Sequence, residues 1–203
     1  QFKTTIPNDG GKNQLFRFQL RGTAFSALFA ALVVVFGFIS IPLGFTPVPI
    51  TLQTLAVMLA GSLLGPRYGF FSMFLVVALT AIGFPMLHGQ GGLGILLGPT
   101  GGYVWMWPVS ALLIGWFSQK IRGAGPAAYA AFFAGNALFG ALLVYVSGVP
   151  WLAKVAGLTL GKAIAAGCLP YIPGDLIKAA AAALIAVPIR RVFPVSRLTG
   201  ENG

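Results

Sequence analysis

Apolar residues run through this chain in long blocks that are interrupted by glycine and proline rather than by charge. No Asp, Glu, Lys or Arg falls between Gly22 and Pro66 or between Tyr68 and Gln119, and each interval is long enough for two spans of about 20 residues. Apolar runs read against Gly and Pro punctuation predict helices near Ala24–Ser40, Ile50–Leu64, Phe70–Phe84, Tyr103–Ser118, Ala127–Ser147 and Gly174–Ile189. The expected fold class is an all-α integral membrane protein, one domain over residues 1–203 with six transmembrane helices. Residues 1–14 are expected to form a poorly ordered tail, and residues 192–203 a cytoplasmic one.

Composition supports this reading. Hydrophobic residues make up 57% of the chain and charged residues 8%, with a mean hydropathy of +0.88; soluble domains carry roughly 25% charge. The net charge of +10 raises nucleic acid as a partner, but the basic residues sit at the ends of apolar runs and form no stripe, so none is expected. Their placement reports topology instead. Lys3, Lys12, Arg17 and Arg21 precede the first span, Arg67 separates the second and third, Lys120 and Arg122 the fourth and fifth, and Arg190, Arg191 and Arg197 follow the sixth. The opposite loops, Ile41–Pro49 and Pro85–Gly102, carry no Lys or Arg. Under the positive-inside rule this predicts a multi-pass protein of the plasma membrane with both termini cytoplasmic.

Lys154 and Lys162 break the pattern and are expected outside, on an amphipathic or re-entrant piece. Trp105, Trp107, Trp116 and Trp151 fall near predicted span ends, where indoles anchor at the interface. No convincing small-residue cleavage site follows the first apolar stretch, which is expected to be retained as a helix. The outer loops are crowded with Pro42, Gly44, Pro47 and Pro49 and with seven glycines in Pro85–Gly102. Irregular backbone at that depth needs protein around it, so these loops are expected to fold over the bundle as a lid.

Several catalytic and cofactor motifs fail on inspection. Gly89, Gly91 and Gly94 fit G-x-G-x-x-G, but no strand precedes them and no acid lies between Asp9 and Asp175 to hold a ribose. Gly157–Ala163 (GLTLGKA) is one residue too short for a phosphate-binding loop and ends in Ala163 where Ser or Thr should hold magnesium. His88, the single histidine, has no second His or neighbouring carboxylate for a metal site or a triad, and is expected to be a solvated or hydrogen-bonded loop residue. Cys168 stands alone, which excludes an intrachain disulfide. The chain is expected to be no enzyme and to use no cofactor.

A sparse polar set remains. Asp175 and Lys178 lie in PGDLIK at the start of the last span, and ionisable groups at membrane depth usually face a bundle interior and mark a site. The competing structural reading makes Asp175 an N-cap with Lys178 paired to it one turn on. Thr51 and Gln53 in VPITLQTL, Asn136 in the fifth span, and Thr100 and Tyr103 in GPTGGY are the other polar groups expected near the same region, with helix-to-helix hydrogen bonding as the alternative for each. Together they would line an apolar pocket with a few placed donors and acceptors. Ala27 and Ala31, one turn apart, offer a small-residue face for close helix approach, either internally or to a partner.

Phe45–Gly69 (FTPVPITLQTLAVMLAGSLLGPRYG), Gly98–Tyr103 (GPTGGY), Gly135 with Asn136, and Pro170–Lys178 (PYIPGDLIK) resemble the BioY family, biotin-specific substrate-binding (S) components of energy-coupling factor (ECF) transporters. The resemblance runs from about Leu15 to Arg191. It implies a pocket opening outward, docking of the Ala27 and Ala31 face on a transmembrane coupling protein, and energy from two ATPase subunits. Biotin's ureido head would then be read by Asp175, Lys178 and Asn136. Its ring and chain would pack beneath the loops bearing Phe45 and Gly98, Thr100, Gly101 and Tyr103. Lys178 would alternatively meet the ligand carboxylate. An S component for another vitamin and a stand-alone ion-coupled permease are the competing functions, with a membrane-embedded hydrolase weaker still.

Overall fold

The computed structural model describes residues 9–199 of the chain and the side chains of residues 20–199. Helix α1 spans Asp9–Gly37, so residues 9–14 of the expected tail are helical, while residues 1–8 and 200–203 lie outside the described range. Two short strands follow, β1 (Ser40–Ile41) and β2 (Ile50–Thr51), paired antiparallel with Ser40 opposite Thr51. They close the proline-rich loop between them into a hairpin over the bundle.

Helix α2 is assigned over Gln53–Ala81, but Gly65 breaks it with φ +78° and ψ −175°, a region essentially reserved for glycine. The two arms, residues 53–64 and 66–81, fold back on each other. A Cβ added to Gly69 would fall 3.1 Å from the Gly61 Cα, whereas residues eight apart in one straight helix are about 12 Å apart. The turn is tucked against the next long helix: a Cβ on Gly115 would meet the Gly65 carbonyl carbon at 2.4 Å. The second and third predicted spans are therefore two arms of one tight hairpin.

A short α3 (Leu93–Leu96) interrupts the glycine-rich loop, and α4 (Gly101–Gln119) follows it. Helix α5 (Pro126–Gly135) starts with proline at its first position, where the missing N–H costs nothing. It runs through a π-helical segment, Asn136–Leu142, into α6 (Leu143–Ala156). Gly157, left-handed at φ +64°, ends that rod. Helix α7 (Leu160–Gly167) is capped by Thr159 and carries exposed Lys162; Lys154 on α6 is exposed too. Helix α8 spans Ile172–Val192, and α9 (Val195–Thr199) takes up part of the expected C-terminal tail.

Among the described residues, four helical stretches are long and apolar enough to cross a membrane: Leu20–Gly37, Gln53–Ala81, Pro126–Ala156 and Ile172–Val192. Their packing inverts that of a soluble protein. Leu28, Val35, Phe71, Phe74, Leu142, Val146 and Leu184 point outward, while Ser26, Ser62, Ser72, Ser110 and Asn136 are buried. The buried hydroxyls join helices: Ser26 Oγ donates to Tyr68 O at 3.0 Å, and Ser72 Oγ returns a bond to Ser26 O at 2.8 Å. Such bonds substitute for the hydrophobic drive that lipid does not supply between helices. The inner face of α1 is Ser26, Ala30 and Val33; Ala27 and Ala31 are exposed, so neither serves internal packing.

Candidate ligand-binding site

The first turns of α8 place Asp175 and Lys178 on one face, three residues apart, and that face turns inward. Asp175 is 5% exposed and Lys178 8%. Lys178 Nζ lies 2.8 Å from Asp175 Oδ1. Thr54 Oγ1, from the start of α2, donates to the same carboxylate oxygen at 3.2 Å and accepts from Lys178 Nζ at 3.0 Å. Tyr145 OH, from α6, donates to Asp175 Oδ2. The four groups thus tie α2, α6 and α8 together.

Counting hydrogen-bond capacity shows what is left. Asp175 accepts three bonds of the roughly four its oxygens can take, and Lys178 uses two of its three ammonium protons. One N–H of Lys178 has no partner among the described residues. Asp175, Lys178, Thr54 and Tyr145 all border a cavity of about 410 Å³, inside the roughly 300–1,000 Å³ range of small-molecule sites. Its remaining wall is largely apolar or aromatic, with Val48, Leu87, Ile95, Tyr103, Val104, Trp107, Val144 and Tyr171 among the lining residues.

The roof is built from both outer loops, each held by side-chain donors. Tyr171 OH donates to Val48 O and pins the β1–β2 loop to the start of α8. Trp151 Nε1 donates to Gly98 O at 2.9 Å and Trp105 Nε1 to Leu96 O at 2.8 Å, which fastens the loop ahead of α4. Tyr103 OH reaches Gly167 O at 2.9 Å, with Gly148 leaving room for its ring. The walls also contain polar nitrogens with unmet capacity: Gln53 Nε2, His88 Nε2 and Trp107 Nε1 are buried without a partner. Burial lowers the His88 pKa below its ordinary 6.5.

Of the residues singled out in the sequence, Thr51, Gln53, Gly98, Thr100, Tyr103, Asp175 and Lys178 line this cavity. Phe45 does not: it stands at the loop tip, 65% exposed. Gly101 packs against the Leu96 carbonyl, behind the lining. Asn136 is buried between helices, where its Oδ1 accepts from Ser62 Oγ at 3.2 Å, which is the helix-to-helix role. The N-cap reading of Asp175 is corrected, since α8 starts at Ile172 with Tyr171 as its cap and Asp175 sits inside the first turn. Trp107 and Trp151 are held within the protein rather than at its rim, and His88 belongs to the cavity wall. Thr54 and Tyr145, absent from the sequence reading, complete the charged cluster. Thr54 was within reach as the next residue after Gln53; Tyr145 carries no local signal, because only the path of α6 brings it to Asp175.

An apolar-walled chamber beside a buried ion pair, inside a bundle faced with apolar side chains, defines a multi-pass membrane protein with an internal cavity of small-molecule size. Comparison with known proteins makes this specific: a BioY family profile matches residues 11–195, and the chain belongs to the BioY family. The biotin transporter BioY of Rhodobacter capsulatus is 43% identical over 188 residues, covering 88% of this chain and 97% of that protein. The biotin transporter BioY of Rhizobium etli is 40% identical, covering 86% and 96%. Among solved structures, the crystal structure of the S-component for biotin from an ECF-type ABC transporter aligns with a TM-score of 0.77 at 35% identity, over 92% of this chain and 95% of that one.

The ion pair makes a stability prediction. Removing one partner of a buried pair costs about 3–5 kcal/mol, whereas replacing both is often neutral. Lys178→Met is expected to lower the thermal unfolding midpoint in detergent sharply, and the Asp175→Asn, Lys178→Met double variant to recover most of that loss. A double variant no better than the single one would contradict the cluster as described.

Proposed function

We propose that this chain captures biotin for uptake across the membrane, as the substrate-binding component of an ECF-type transporter. The observation that carries the reading is the buried Asp175–Lys178 pair bordering a roofed chamber with one ammonium proton unused. The relatives are biotin transporters by name, and the aligned crystal structure is an S-component for biotin. Biotin is an apolar bicycle and chain bearing a ureido group at one end and a carboxylate at the other. The chamber has the matching character, aromatic in bulk and polar at few points.

In this mechanism Lys178 gives its remaining N–H to a ligand oxygen, the ureido carbonyl or the carboxylate. Asp175 accepts from a ureido N–H through its last lone pair while Thr54 and Tyr145 hold it in place. Unmet polar groups such as Gln53 Nε2 and Trp107 Nε1 each cost about 1–3 kcal/mol, which contact with the bound ligand would recover. Phe45 would shield the closed chamber from outside, and the loop from Gly98 through Thr100 and Gly101 to Tyr103 would form its rim.

The topology proposed is six spans: α1, the two arms of α2, α4, the rod from α5 to α6, and α8. Both termini lie in the cytoplasm, so that the basic ends of α4 and α8 face inward. Exposed Ala27 and Ala31 then form the docking face for a transmembrane coupling protein, which two ATPase subunits drive. A receptor for another vitamin is the second reading, which competition between labelled biotin and thiamin or riboflavin separates.

Each charge-assisted contact is worth about 1.5–3 kcal/mol, so loss of both should weaken binding at least ~100-fold. Labelled biotin is expected to bind the purified protein tightly and to be lost in the Asp175→Asn, Lys178→Met variant while the protein still unfolds cooperatively. Undiminished binding would remove the pair from the site. Leucines at Ala27 and Ala31 are expected to prevent co-purification with the coupling protein and to spare biotin binding. Intact co-purification would count against that face.

A further inference from the structure

The far end of the bundle contains a second cavity, of about 380 Å³, between the α4–α5 loop, α5 and the end of α8. Ile121, Phe132, Val187 and Pro194 form its apolar walls, and Arg190 and Arg191 supply its charge. It shares no lining residue with the biotin chamber, whose charges sit at the opposite end of α8.

Arg190 is only half-exposed. Its Nη1 donates to Ser118 O at 2.9 Å, in the last turn of α4, and its guanidinium lies 5.3 Å from the Phe132 ring centroid. A guanidinium has five N–H donors, so four remain without a partner among the described residues. Arg191 makes no hydrogen bond or ion pair among them either. The one carboxylate with a described side chain, Asp175, is already engaged with Lys178. Among the described residues, two adjacent cations therefore border a cavity with no counter-ion.

Arginines in the last turn of a helix complement its dipole and obey the positive-inside rule. Those effects account for the charge but not for a cavity walled by it, nor for a guanidinium drawn against Ser118 and Phe132. The level in the membrane points to the occupant. Trp116, 49% exposed, holds Lys120 Nζ 3.3 Å from its ring centre at the end of α4, a pairing typical of the headgroup boundary. Ile189, Val192 and Phe193 are exposed beside the arginines and offer apolar surface to acyl chains.

We propose that this cavity is a binding site for the phosphate of an anionic phospholipid of the membrane leaflet that faces the basic helix ends. The Arg190 fork would grip two phosphate oxygens, Arg191 would neutralise the headgroup from the rim, and the acyl chains would lie along α8. The flanking apolar surface favours a lipid over free phosphate.

The test uses the full chain, purified and delipidated in detergent, with phosphatidylglycerol, phosphatidylcholine or inorganic phosphate added. Lipid retention is read by native mass spectrometry and stability by thermal unfolding. Phosphatidylglycerol is expected to be retained and stabilising, and the other two ineffective. Affinity for it should fall about fivefold for each arginine removed, in Arg191→Gln and in the Arg190→Gln, Arg191→Gln double variant, with biotin binding unchanged. Equal retention of both lipids, or stabilisation by inorganic phosphate equal to that by phosphatidylglycerol, would overturn the proposal. So would undiminished affinity in Arg191→Gln, whose exposed side chain makes that variant decisive if the double one does not fold.

Discussion

The arrangement of this protein follows from holding a carboxylate and an ammonium group together away from water. A charged side chain at membrane depth costs about 2.5–3.5 kcal/mol even by permissive scales, and a buried pair seldom returns more than it costs in desolvation. Asp175 and Lys178 are accommodated because Thr54 bridges both of them and Tyr145 takes the second carboxylate oxygen. Three helices must meet at one point for that to happen. The pair is thus a poor device for stability, and in the proposed function it serves binding instead: its geometry is fixed in advance, so the ligand would meet polar groups that are already oriented.

Much of the rest serves to keep a chamber open beside that cluster. The Gly65 turn lets α2 double back, and Gly115 lets α4 approach it closely, so the packing is tight at the end of the bundle away from the pair. At the other end the helices carry large aromatics, and the phenol and indole donors of Tyr171, Trp105 and Trp151 tether the roof. Phenols and indoles suit this task because each offers an apolar body to the membrane interior and a single polar atom to a backbone carbonyl.

Charge scarcity made the membrane class, the apolar spans and the inward placement of Asp175 and Lys178 legible in the sequence, since each rests on composition or on one local segment. Gly65 followed by Pro66 also marked the break between two predicted spans. What the sequence hid was long-range. Asn136 and Tyr145 sit nine residues apart on one rod, and only the register of that rod, with its π-helical segment, sends Tyr145 to Asp175 and Asn136 to Ser62. Trp107 looked like an interfacial anchor because it lies near a span end, yet it is buried in the wall of the chamber that the loop ahead of α4 helps to line. His88 joined the wall for the same reason: a loop's course depends on its tethers, and those come from distant helices.

The most direct measurement is a crystal structure of the purified protein with biotin bound. The account predicts biotin in the roofed chamber, with one of its oxygens within hydrogen-bond distance of Lys178 Nζ and the Asp175–Lys178 pair intact. Biotin seated elsewhere, or seated in the chamber with no polar contact to either residue, would contradict it.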